Sequence, residues 1–281
     1  MAGTAIVTNA VCDLTPKAAR DLNVTMIPEC IIFDGVPAFS NIDFDPPELY
    51  RRLQTAKDLP TGAHPNIAMY EDAFQEHADA DEIICINMTS RMSGSFNTAN
   101  IAKEMLEEDG FAPKIYVFDS LELSHGLGFL VRAAAEMAQR GEKAARILER
   151  LVELRGKIGI YFVMRSLENA RKGGRIGAIK CVLADSLGVK PVLMFRDGMV
   201  SDVAVVRGFE QALGRLAGYY DSRAEKGRAV TVFHADNLEG AEKVKAMLLA
   251  RDPDAQISIE WRGPAIGIYT GAGCVGVTFW E

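Results

Sequence analysis

EIICINMTSRMSGSFNTANIAKEMLE, residues 82–107, joins three unlike segments. Glu82 to Met88 is a short apolar run of the kind that fills a buried strand. Thr89-Ser90-Arg91-Met92-Ser93-Gly94-Ser95 is polar, and Phe96 to Glu107 reads as a helix. Strand, polar loop and helix form the repeating unit of a parallel α/β sheet. Hydroxyls and a glycine at a helix N-terminus also leave backbone N–H groups beside a partial positive charge, which suits an anion. Two readings of the loop stand: Ser93 or Ser95 caps the helix, or the loop grips a ligand.

The same alternation extends in both directions. Strands are expected at Thr4 to Thr8, Thr25 to Phe33, Lys114 to Phe118, Ile158 to Met164 and Lys190 to Phe195, then at Ala229 to Phe233, Gln256 to Trp261, Ile266 to Thr270 and Val275 to Trp280. Helices are expected at Ile67 to His77 and Leu127 to Gln139, where Leu127, Leu130, Val131, Ala134 and Met137 share one face. Residues 1–155 read as a Rossmann-like α/β domain with a parallel sheet and crossover helices. Residues 156–281 read as a second α/β domain with a mixed or antiparallel sheet, its last strands free to pack back on the first domain. The charged helix Lys143 to Arg155 is the expected linker, and Gly271-Ala272-Gly273 the turn of a terminal hairpin.

Composition narrows the function. With 281 residues, 48% hydrophobic and 25% charged, the chain can bury a substantial core. Its net charge of −7 disfavours nucleic acid and anionic membrane surfaces. No apolar run is long enough to span a bilayer, and the polar start does not read as a signal peptide. A cytoplasmic location is expected. Five scattered cysteines, Cys12, Cys30, Cys85, Cys181 and Cys274, form no CxxC pair and read as buried thiols.

The commoner catalytic plans are missing. There is no HExxH, no GxSxG, no GxxxxGK[ST] loop, and no GxGxxG after the first strand. His77, among Glu76, Asp79 and Asp81, reads as a solvated helix-end residue. Neither a metal site nor a cofactor is expected. Two further polar loops remain. Thr61, in Pro60-Thr61-Gly62-Ala63-His64-Pro65, offers a hydroxyl ahead of a helix with Pro65 in its first turn. Arg171-Lys172-Gly173-Gly174-Arg175-Ile176-Gly177 is a basic turn that could wall an anion site.

These segments carry a resemblance. Ile6-Val7-Thr8, Pro60-Thr61, Ser90 to Gly94, Phe118-Asp119-Ser120, Gly126-Leu127-Gly128 and Tyr161-Phe162-Val163 occur in order. They are followed by Lys172 to Gly177, Lys190-Pro191, Val206-Arg207-Gly208, Gly263-Pro264-Ala265-Ile266-Gly267 and Thr270-Gly271. Along its whole length the chain resembles the DegV family, bacterial fatty-acid-binding proteins that serve a fatty-acid kinase. The resemblance implies a non-catalytic lipid-binding protein that holds a long-chain fatty acid in a tunnel between two domains. The fatty acid is then its ligand, and a separate ATP-dependent kinase subunit its partner. It carries carboxylate binding over to Thr61 and Ser93, with the Gly94 and Ser95 amides as helpers. Arg175 either anchors the head or meets the kinase. Three positions depart from the pattern: Asn9-Ala10 stands for an Asp-Ser pair, Tyr269 for a histidine, and Phe209 for an arginine. Tyr269 can still donate to a carboxylate through its hydroxyl. The alternative is an α/β enzyme acting on a small anionic substrate, with Ser93 or Tyr269 in the catalytic role.

Overall fold

A computed structural model describes residues 3–175 and 188–281. Cys181 and the Ile176-Gly177 end of the basic turn lie outside the described residues. The first sheet contains β1 (Thr4–Asn9), β2 (Val24–Ile27), β6 (Glu82–Asn87) and β7 (Lys114–Asp119) in the order β2-β1-β6-β7, with every neighbouring pair parallel. Chain order reverses between β1 and β6. At such a switch point the loops leaving the carboxyl ends diverge and open a crevice. Those loops are the 3-10 turn Ala10–Cys12 after β1 and residues 88–94 after β6.

Helices α1 (Pro16–Asp21), α2 (Pro46–Leu53), α3 (Ile67–Gln75), α4 (Ser95–Glu108), α5 (Ser124–Gln139) and α6 (Ala144–Leu154) belong to this half. Helices α3 and α4 cover one face of the parallel sheet through Tyr70, Phe74, Ala99, Ala102 and Leu106. Helix α5 covers the other and also meets the second sheet. Its glycines follow from that close approach: a Cβ on Gly128 would lie 2.6 Å from the Cys12 carbonyl oxygen, and one on Gly126 2.7 Å from Ile160 Cδ1. The expected linker is α6, and it is packed rather than loose, with Ile147, Leu151 and Leu154 buried in the core shared with α5.

The second sheet joins β8 (Ile158–Val163), β9 (Val189–Arg196), β10 (Met199–Arg207), β11 (Val230–His234), β12 (Ile257–Trp261) and β13 (Val275–Trp280) in the order β10-β9-β8-β13-β11-β12. It is mixed: only β11 and β12 run parallel. All of β8 is buried because both sheet faces are covered. Ile158, Ile160 and Phe162 face the core shared with α5, while Tyr161 and Val163 face α8 (Phe209–Arg223) and α9 (Leu238–Leu249). The short helix α7 (Glu168–Lys172) leads out of β8 towards the basic turn.

Three expectations change. Thr25 to Phe33 divides into β2 and β3 (Cys30–Phe33), which lie in different sheets; Pro28, without an N–H, falls at the break. Ile266 to Thr270 is not a strand but part of α10 (Pro264–Thr270), started by Pro264 and closed by Gly271 at φ 67°. A five-residue apolar run does not by its period distinguish strand from buried helix, so the terminal hairpin becomes a helix, a turn and β13. Thr61 does not precede a helix: Thr61–Ala63 is β5, paired antiparallel with β3 in a small sheet completed by β4 (Val36–Phe39). Helix α3 starts later, with the Asn66 side chain accepting from the Met69 amide. No described helix is long and apolar enough to cross a membrane.

Candidate functional site

A cavity of about 510 Å³ lies where the crevice beyond β1 and β6 meets the second sheet, between β3–β5 on one side and α10 on another. Val11, Ile31, Met88, Leu123, Phe162 and Phe195 give it a largely apolar wall. The volume falls within the range of small-molecule pockets.

The loop between β6 and α4 forms the polar wall and is tied to both sheets. Ser90 donates from its amide to Asp119 Oδ1 (3.1 Å) and from its hydroxyl to Asp119 Oδ2 (2.6 Å), at the end of β7. On the other side, Arg91 Nη1 donates to the Asp197 carbonyl (2.9 Å) and Thr89 Oγ1 to the Gly198 carbonyl (3.4 Å), in the turn between β9 and β10. Gly94 occupies the cap position of α4 and supplies no side chain. Ser93 Oγ accepts from the Ser95 amide (3.2 Å) and lies 2.5 Å from Ser95 Oγ. Ser93 therefore holds the first amide of the helix without being its cap residue, and its hydroxyl remains on the cavity wall.

Behind the two serines is a buried network. Tyr70 accepts from Asn9 Nδ2 (2.7 Å) and donates to Asn87 Oδ1 (2.7 Å). Burial raises the Tyr70 phenol far above its ordinary range, so it remains neutral. Asn9, the first departure from the family pattern, is fully buried, and its Oδ1 accepts from the Met88 amide (3.4 Å). An amide serves here because the position must donate to Tyr70 and accept from Met88 together.

Ser93, Gly94, Arg175 and Tyr269 come together on the cavity wall; Ser95 sits buried behind Ser93, and Thr61 is exposed on β5 away from the wall. Tyr269 bridges two glycines. Its ring lies where a Gly173 Cβ would project, at 2.5 Å, and its hydroxyl 3.3 Å from the Cβ position of Gly62. The Arg175 guanidinium lies 5.3 Å from the Tyr269 ring centroid and donates to the Gly173 carbonyl (2.8 Å). Phe209, the third departure, starts α8 and faces Arg165, whose guanidinium lies 3.9 Å from its ring centroid.

Three residues at the cavity were not selected from the sequence. The ring of His64 covers Gly94, 3.1 Å from its Cβ position. Glu29 is buried on the wall; Oε1 has no hydrogen-bond partner among the described residues, and burial pushes the carboxyl up to about 8. Arg262, also on the wall and almost wholly buried, faces Asp13 Oδ2 at 3.9 Å, donates to Ser124 Oγ and lies 3.8 Å from the Phe233 ring centroid. Desolvation outweighs that cation and leaves Asp13 raised to about 6. A lone charge inside an apolar run (Glu29) or beside a tryptophan (Arg262) was the available signal.

Four described cysteines are free thiols; Cys12, Cys85 and Cys274 are buried and held up to about 12, 12 and 11, whereas Cys30 is half-buried. Thiols so raised are poor nucleophiles.

The DegV family model matches residues 3–281. A DegV domain-containing protein of Halalkalibacterium halodurans is 28% identical over 284 residues, covering 100% of this chain and 99% of the relative. The crystal structure of DegV, a fatty acid binding protein from Bacillus subtilis, superposes with a TM-score of 0.88 at 25% identity over 100% of both chains. A stearic-acid-binding protein from Eubacterium ventriosum gives 0.87 at 25% identity, covering 99% of this chain and 97% of its own. With the family model spanning nearly every residue, this chain belongs to the DegV family.

Proposed function

We propose that the chain binds a long-chain fatty acid in this cavity, with the carboxylate at the Ser93 hydroxyl and the Gly94 amide. The observation that carries the reading is an apolar cavity of about 510 Å³ that meets a helix start with no side-chain cap. The fatty-acid-binding relatives of the same fold support it. Tyr269 and Arg175 complete the polar rim; Thr61, exposed on β5 away from the wall, is not part of it. A sixteen-carbon acid brings about fourteen methylenes, worth roughly 0.8 kcal/mol each, or about 11 kcal/mol before immobilisation is charged against it. That favours slow exchange.

The enzyme reading is less well supported. The Ser93 hydroxyl is engaged by Ser95, and no histidine hydrogen-bonds to it among the described residues. Presentation of the carboxylate to a separate ATP-binding kinase subunit is the role implied by the family resemblance, and the exposed rim at Arg175 leaves the head end reachable. Denaturing freshly purified protein, extracting it with solvent and weighing the extract by mass spectrometry tests the reading. Stoichiometric fatty acid is expected; an empty extract, with no uptake of added palmitate, would overturn it.

A further inference from the structure

Glu29 has no evident structural role for its side chain. Its backbone is fully used, the amide donating to Ser40 Oγ (3.0 Å) and the carbonyl accepting from the Ser40 amide (2.9 Å). The carboxyl, in contrast, is buried on the cavity wall with Oε1 unpartnered, 6% of the residue remaining exposed. The cations at the cavity are committed elsewhere: Arg262 to Asp13 and Ser124, Arg91 to the Asp197 carbonyl, Arg175 to the Gly173 carbonyl. A buried carboxyl without a cation is stable only when neutral, and burial alone raises this one to about 8.

It lines the same cavity as Ser93 and Gly94. Cys30, the residue after Glu29, pairs with Ala63, the residue before His64, and the His64 ring covers Gly94 at the start of α4. Glu29, His64, Ser93 and Gly94 all line the one cavity.

We propose that Glu29 is a specificity-determining residue for the head group: a protonated carboxyl that donates a hydrogen bond to the bound fatty-acid carboxylate, opposite Ser93. This rests on the fatty-acid reading above. The two carboxyl groups share one proton, as paired acids in a dry site do. The ligand enters as its anion, and Glu29 keeps its proton. Below the pKa of free Glu29 no proton is exchanged on binding. Above it, each ligand bound takes up one proton from solvent, so affinity falls as pH rises. Acyl esters and amides, which lack the anionic acceptor, are the ligands this arrangement disfavours.

The test uses the full chain stripped of lipid, with radiolabelled palmitate, between pH 6.5 and 9.5. Other titratable or charged groups around the head are His64 on the segment after β5, Tyr70 on α3, Arg91 before α4, Arg175 after α7 and Arg262 before α10. His64→Asn in the same series separates the imidazole contribution. Wild type is expected to hold a constant Kd to about pH 8 and then weaken by roughly tenfold per pH unit. Glu29→Gln, which keeps a donor and cannot ionise, should bind within about threefold of wild type at pH 7 and stay flat. Glu29→Leu should bind at least about tenfold more weakly at all pH values. A wild-type profile flat to pH 9.5, parallel profiles for wild type and Glu29→Gln, or full affinity in Glu29→Leu would each overturn the role of Glu29. Should Glu29→Gln fold poorly, Glu29→Leu suits the apolar wall and decides the matter. Absence of palmitate binding by wild type at pH 7 would instead remove the fatty-acid reading, and this inference with it.

Discussion

Asn9→Asp changes one atom in a buried network, and its consequence can be worked through. Asn9 is fully buried at the end of β1, donating from Nδ2 to the Tyr70 hydroxyl, which in turn donates to Asn87 Oδ1; both bonds are 2.7 Å. The substitution removes the first donor. One phenolic proton then faces two acceptors, the new carboxylate and Asn87 Oδ1. Turning the Asn87 amide gives no relief, because its Nδ2 already contacts the Cys85 carbonyl (3.4 Å) and sulfur (3.2 Å). An orphaned buried acceptor costs about 1–3 kcal/mol, more when it is charged. Burial raises the folded-state pKa of the new carboxyl above its unfolded value. Such a group is least harmful below the unfolded pKa, and its cost grows as pH rises. At roughly 2–4 °C per kcal/mol, the variant should melt about 2–12 °C below wild type at pH 7.5 and close to it at pH 4.5. Thermal melts of both proteins over that range are the assay. Equal melting temperatures at pH 7.5, or a deficit that widens on acidification, would refute the network as described.

Other substitutions test the site and the packing. Ser93→Ala should raise the Kd for palmitate about tenfold or more, the value of one hydrogen bond to a charged group, with little change in melting; Thr61→Ala beside it measures whether the exposed hydroxyl contributes. Arg175→Ala should weaken binding by less than about tenfold and reduce its salt dependence, because the guanidinium is exposed and screened; equal salt dependence in both proteins would exclude it from the head group. Gly128→Ala places a methyl 2.6 Å from the Cys12 carbonyl oxygen and should destabilise by about 1–3 kcal/mol, whereas Gly214→Ala, in α8 with nothing within 4 Å, should stabilise by about 0.5–1 kcal/mol. Opposite signs in one denaturation series are the expected result.

The sheets were readable because their strands are apolar runs bounded by polar turns, and the Ser93 loop because it follows such a run into a helix. What escaped reading depends on contacts between distant segments. Thr61 looked like a helix-start hydroxyl, yet pairing of residues 61–63 with β3 outweighed the nearby Pro65. Ile266 to Thr270 has the composition of a strand but sits against α2 and α7 as a helix between Pro264 and Gly271. Tyr70 falls within the expected helix Ile67 to His77, but nothing in that pattern shows that its hydroxyl joins the ends of β1 and β6. Glu29 stood within a run of Val, Ile and Phe whose hydrophobicity masked the one carboxyl buried in it.

The loop that carries Ser93 is fastened at both sides, through Ser90 to the end of β7 and through Thr89 and Arg91 to the turn between β9 and β10. It works as a hasp across the seam between the sheets. The turn between β9 and β10 is thus hydrogen-bonded to the segment that leads to Ser93. A shift of Asp197 and Gly198, both outside the cavity, therefore bears on the Ser93 side of its wall.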